Sequence, residues 1–471
     1  MKHPYPGPSF VSFLAVPSVA FVVLLAATAT PAALAANWPS WRGPNGDGTT
    51  TTAKDLPVTW STTQNIKWKQ ELPAWSGSSP MVWGERIFLN SPSKEQVQAA
   101  APAPAPAPGA RKRPGPRGPA VSGPGGQEIL LLCLSRETGK ELWRRQYDQG
   151  NQIQMKHNTS SPTPVSDGTN VWVVSGNGVI ACFDFAGNEK WKFDLVKKFG
   201  KIGTNFGYGS SPLLLDGKLI VQVLHGMKTD EPSYIFALDA AKGGLRWRVE
   251  RPTDAERETP DAYTTPSVLL TGGQKQVVIS GGGYVTGHDP QTGAELWRGG
   301  GLNPRNEGNY RVISSAVVHD GMVYVPSRQA PLLAFKAGGK GDVTQSHLAW
   351  SWTARGGPDV PTPMSDGKYF YMVEDSGSIT CLDAKTGKLI YGPQDTGIGR
   401  TSSSPILADG KIHVTSETAE TAVIQAGPEF KLLAKNSLDG TYTLCTPAFA
   451  DREIFLRTGT HLYCISNSGA K

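Results

Sequence analysis

The chain has 471 residues, 38% of them hydrophobic and only 18% charged, with 54 glycines, 37 prolines and 13 tryptophans. That composition excludes a disordered polymer and argues against a helical protein; it suits many short strands joined by tight turns. The formal charge of +6 is comparable to the basic charge of one local loop, so it does not describe a nucleic-acid-binding surface.

Taken in order, the chain opens with Lys2, an apolar stretch from Val11 to Thr30, and Ala32-Ala33-Leu34-Ala35-Ala36 before the polar Asn37. A basic start, an apolar middle and small residues predict a secretory signal over 1–36. The alternative is a retained membrane anchor, since the stretch is just long enough to span. Residues 37–64 form an N-terminal extension. Asn65 to Leu72 then reads as a single strand that carries Trp68.

Beyond it a unit recurs: a hydroxyl residue and usually proline, a strand, an Asp-Gly turn, a second strand, a third ending near Asp, then Thr-Gly and an aromatic. Its starts are Ser79-Pro80, Ser161-Pro162, Ser211-Pro212, Thr265-Pro266, Ser315-Ala316, Thr362-Pro363, Ser404-Pro405 and Thr446-Pro447. After the first interval the spacing is about 40 to 55 residues, the period of a four-stranded propeller blade. Asp-Gly at Asp167, Asp216, Asp320, Asp366 and Asp409 supplies hairpin turns. The expectation is an all-β, eight-bladed β-propeller over 65–466, with 467–471 as a tail. The last unit lacks its fourth strand, and the strand carrying Trp68 is expected to complete it, closing the ring and removing sheet edges.

The first interval is long because an Ala-Pro tract with Arg111, Lys112, Arg113 and Arg117 interrupts blade one between residues 93 and 126. Such a tract favours extended polyproline II and should project as a basic, solvated loop. Contact with an anionic envelope surface is the other reading.

Trp143, Trp191, Trp247, Trp297 and Tyr391 each follow a repeat glycine by four residues, and with Trp68 they form the expected set of docking aromatics between blades. Cys133, Cys182, Cys381 and Cys464 share one repeat position, filled elsewhere by Ala237, Gly287 and Ala334. A slot repeated in separate blades is too far apart for disulfides. Free buried thiols are expected, with Cys445 and Cys464 the one pair worth checking.

These repeats resemble those of the quinoprotein, or pyrroloquinoline quinone (PQQ), propeller superfamily. The residues that carry the resemblance are Ala237-Leu238-Asp239 with Gly243 and Trp247, Cys381-Leu382-Asp383 with Thr386-Gly387 and Tyr391, and Thr138 to Trp143. The non-enzymatic branch, including the outer-membrane assembly propeller, is the nearer resemblance. It implies a periplasmic or envelope protein, membrane-proximal without spanning, monomeric, binding envelope proteins or peptides and no nucleic acid. The dehydrogenase branch implies instead PQQ held with calcium and a pair of adjacent cysteines. No two cysteines are adjacent here, and no catalytic or metal-binding motif stands out, so no cofactor is expected.

Register within the repeat places one residue of each blade at the channel mouth: Trp75, His157, Gly207, Asp261, Arg311, Pro358, Arg400 and Tyr442, with Asn158 and Tyr208 beside them. Arginines suit carboxylate or phosphate, and aromatics suit a ring or sugar. The ring therefore offers a ligand or partner site, against the alternative of an ordinary solvated rim. Three function classes stay open: a non-catalytic scaffold for envelope proteins, a PQQ-dependent oxidoreductase, and a propeller binding a small anion or carbohydrate.

Overall fold

The computed structural model describes residues 36–95 and 123–467, together with residues 1, 3, 7 and 9. The expected signal segment, most of the Ala-Pro insertion and the end of the tail lie outside the described residues. All architecture below belongs to the compact unit 35–471. No described helix is long and apolar enough to cross a membrane.

The strands form eight antiparallel four-stranded blades, two of them with an added edge strand. Blade one comprises Met81–Trp83, Arg86–Pro92, Glu128–Ser135 and Glu141–Gln149 from the channel outward. Blade eight comprises Ala448–Ala450, Glu453–Arg457 and His461–Ser466, completed by the N-terminal strand Ile66–Glu71. Trp68 lies opposite Cys464 in that closing pair. Joining both ends of the chain in one sheet leaves no open blade in the ring.

A closed circle of hydrogen bonds runs around the channel. The backbone N–H of Ser79 donates to Thr163, Thr163 to Ser211, Ser211 to Thr265, and Thr265 to Ser315, each at the hydroxyl oxygen. The circle continues from Ser315 to Thr362, Thr362 to Ser404, Ser404 to Thr446 and Thr446 back to Ser79. This explains the hydroxyl at each repeat start: only a side-chain acceptor reaches the N–H facing the next blade. It also corrects blade two. The register position is Thr163, not Ser161, because Ser161-Pro162-Thr163-Pro164 offers the pattern twice and only Thr163 joins the circle.

The shared cysteine position lies directly opposite the docking aromatic: Cys133 pairs with Trp143, Cys182 with Trp191, Ala237 with Trp247, Ala334 with Trp350 and Cys381 with Tyr391. A small residue there makes room for the ring. Each docking indole then reaches the next blade. The indole N–H groups of Trp68, Trp143, Trp191, Trp247 and Trp350 donate to the carbonyls of Arg136, Phe185, Ala240, Pro290 and Ala384. Trp350 is a member the sequence pattern did not reveal. Tyr391 rests beside Phe430 of blade seven.

Trp297 departs from this pattern. Its indole N–H turns to Gln276 Oε1 of its own blade at 2.7 Å, and the added edge strand Gly341–Asp342 pairs in parallel with Trp297 and Arg298. All five cysteines are free and buried.

Candidate functional site

Every inner strand runs in the same sense, so its first turn lies at one face of the channel and the loop preceding it at the other. The N-terminal extension crosses the first of these faces. Trp38 bridges to Val82, the Pro39 carbonyl accepts from Ser166 N–H, and Asp47 Oδ2 meets His319 Nδ1 at 2.9 Å. Thr49 and Thr50 pair with Leu407 and Ala408 of blade seven. Arg42 is buried, donating to the carbonyls of Pro363, Pro405 and Asp47. Burial lowers its pKa to about 10, still far enough above neutrality to keep the charge.

Between these anchors Trp41 enters the channel. It lines both a cavity of about 430 Å³ towards the mouth and one of about 470 Å³ under the extension. The mouth cavity is therefore a bowl with Trp41 in its floor and Ile313, Val360 and Leu444 in its walls.

Over the rim arches the hairpin Ile153–Gln154 with His157–Asn158. Lys156, at its turn, reaches blade seven, with Nζ 2.8 Å from Glu417 Oε1 and 2.9 Å from Ser402 Oγ. Tyr442 OH donates to the Lys156 carbonyl at 3.1 Å. Opposite, Arg311 Nη2 donates to Asp359 Oδ2 at 3.2 Å and its guanidinium stacks 5.0 Å from the Phe206 ring. Asp375 also faces the bowl, its Oδ1 accepting the N–H groups of Asp359 and Val360 at 3.1 and 3.0 Å. Burial raises the Asp375 pKa.

Of the residues that repeat register assigned to the mouth, His157, Arg311 and Arg400 line this cavity. His157 reaches it from the hairpin rather than from the inner-strand column, which follows from the register of blade two. Its Nε2 lies 2.9 Å from the Phe206 carbonyl, and burial lowers its pKa.

The structure commits the others to holding loops together. Trp75 donates its indole N–H to the Gly123 carbonyl. Asn158 donates to the Trp75 carbonyl and accepts from Ser160 and Ser161. Tyr208 OH donates to the Gln222 carbonyl. Asp261 is fully buried and accepts the N–H groups of Asn205 and Met227; burial raises its pKa. Lys156, Asp359, Asp375 and Trp41 escape sequence reading because they lie in loops and in the extension, outside the repeat.

The sequence model of a family described as "Outer membrane protein assembly factor BamB" matches residues 127–390, more than half of the chain. The chain belongs to this family, whose members carry PQQ-like propeller repeats. Solved structures agree in fold. BamB from Moraxella catarrhalis is 14% identical, with a TM-score of 0.50 over 74% of this chain and 94% of that one. A europium-containing methanol dehydrogenase is 11% identical, with a TM-score of 0.64 over 91% and 90%. The quinohemoprotein alcohol dehydrogenase ADHIIG from Pseudomonas putida HK5 is 10% identical, with a TM-score of 0.55 over 92% and 81%. No curated protein matches the chain.

A quinone held with a metal ion, which the dehydrogenase neighbours bring to mind, does not fit the residues of this bowl. A calcium site needs several convergent oxygens. Among the described residues no group of three or more His, Cys, Asp or Glu could hold a metal ion. Asp359 is engaged by Arg311, and Asp375 by two backbone N–H groups. No adjacent cysteine pair exists to clamp a quinone.

Proposed function

We propose that this is an exported, non-catalytic propeller that serves as a binding or scaffold module for proteins or peptides of the cell envelope. The observation that carries the reading is the mouth bowl itself. Its cations are held in fixed pairs, Lys156 with Glu417 and Arg311 with Asp359, and the Ser402 hydroxyl that donates to Glu417 shares that carboxylate with Lys156. Such a surface is preorganised for recognition. Membership of a family described as an outer membrane assembly factor supports the same reading.

The test has two arms on the purified mature chain. The first follows dye reduction with PQQ, calcium and a panel of alcohols and sugars; the expected result is no turnover. The second measures binding of purified components of the outer membrane assembly machinery by interferometry, with saturable one-to-one binding expected. Quinone-dependent turnover would overturn the proposal.

A further inference from the structure

The mouth bowl contains one carboxylate, Asp375, that makes no direct ion pair among the described residues and has only the positive charge of Lys156 acting on it from beyond contact. Around the rim stand three cations, and each is already paired: Lys156 at 2.8 Å and Arg400 at 3.8 Å share Glu417, and Arg311 lies 3.2 Å from Asp359 and 3.9 Å from Glu258. Asp375 is a fourth carboxylate and takes part in no ion pair among the described residues. Its Oδ1 accepts two backbone N–H groups; its other oxygen has no hydrogen-bonding partner there. Beside it, Asp359 Oδ1 is buried without a hydrogen bond. A partly buried carboxylate without a direct ion pair gains stability when a ligand supplies a cation.

The rest of the wall fixes what kind of cation. Val360, Ile313 and Leu444 present hydrocarbon, and Trp41 closes the bottom with an aromatic ring. A hydrated metal ion gains nothing from such walls. An ammonium or guanidinium at the end of a methylene stem does, because its stem can be covered while its head stays hydrogen-bonded. At about 430 Å³ the bowl is within the range of small-ligand pockets.

We infer that the mouth bowl receives a single basic side chain, lysine or arginine, from a partner polypeptide, with Asp375 as its anchoring carboxylate. This rests on the scaffold reading above and specifies what part of the partner is gripped. Lys156 and the arching hairpin bound the entrance on one side, and Arg311 with Asp359 on the other.

The test is calorimetric titration of the mature chain with N-acetyl-lysine methylamide, its uncharged norleucine counterpart, and cadaverine as a free amine. The lysine probe should bind with one-to-one stoichiometry, and the norleucine probe roughly tenfold to hundredfold more weakly, the range of a hydrogen bond to a charged group. Asp375→Asn should weaken the lysine probe by the same factor. It keeps the Oδ1 acceptor for Asp359 and Val360, so the fold should survive; the norleucine comparison needs no variant.

Equal affinity for the lysine and norleucine probes, or undiminished binding of the lysine probe by folded D375N, would overturn the inference. Binding of cadaverine without the lysine probe would overturn the polypeptide source. If the lysine probe fails while assembly components still bind, only this inference falls. If the lysine probe binds and the assembly components do not, it is the scaffold reading that falls.

Discussion

Arg457 of blade eight donates Nη1–H to the Asn90 carbonyl of blade one at 2.7 Å. Its guanidinium also reaches the carbonyls of Ser78 and Ala74, and burial lowers its pKa to about 10. One fully buried side chain thus ties the closing blade to the first.

Arg457→Met keeps the bulk of the side chain and removes these hydrogen bonds, leaving the Ala74 and Ser78 carbonyls only the weaker donors Ser91 Oγ and Cys445 Sγ. We expect a loss of about 3 kcal/mol in denaturant unfolding, with early loss of amide-exchange protection at the seam between blades eight and one. Unchanged stability would show that the seam is held by the strand Ile66–Glu71 alone.

His413 lies buried between Trp60 and Phe449, with neither ring nitrogen hydrogen-bonded. Burial lowers its pKa to about 3. The unfolded chain therefore takes up a proton near pH 6.5 that the folded chain refuses until about pH 3. This contribution to stability is complete above pH 6.5 and is lost progressively as the pH falls towards 3, by about 2 kcal/mol at pH 5. His413→Phe should flatten that part of the stability profile and raise the melting temperature at pH 5 more than at pH 8. Parallel profiles would refute the assignment.

Gly46 and Gly48 both have positive φ, +69° and +83°. An added Cβ at Gly46 meets nothing within 4 Å, whereas at Gly48 it would lie 2.2 Å from Arg42 Nη2. Gly46→Ala should cost only the left-handed backbone penalty of about 1 kcal/mol. Gly48→Ala should cost clearly more and loosen the extension, read as faster proteolysis between Trp38 and Thr50. Equal costs would mean that Arg42 moves freely.

Gly287 occupies the small-residue position of blade four, where a Cβ would lie 2.1 Å from the inward-turned Trp297 indole. Gly287→Ala should therefore destabilise by about 1–3 kcal/mol through overpacking. Ala237→Cys, which copies what other blades place opposite their tryptophan, should be nearly neutral. Comparative thermal melts decide the point; a neutral Gly287→Ala would show that Trp297 can swing out to dock like its counterparts.

Blade number, strand order and ring closure were all legible in the amino-acid sequence, because each blade repeats the same local requirements. The hydroxyl of Ser211 or Thr446, the turn at Asp216-Gly217 and the pairing of Cys182 with Trp191 are satisfied within a blade or by its neighbour, so they recur with a period. Repetition failed as a guide where one pattern occurred twice, at Ser161 and Thr163, and where the indole turned into its own blade, at Trp297. The candidate site was only partly legible. Arg311 and Arg400 follow from register, but Trp41 arrives from an extension with no repeat, and Lys156 reaches Glu417 from 261 residues away in sequence. Which side chains face the bowl, and which carboxylate makes no direct ion pair there among the described residues, depends on loops from separate blades converging at the channel. Only the tertiary structure decides that, because no local spacing encodes it.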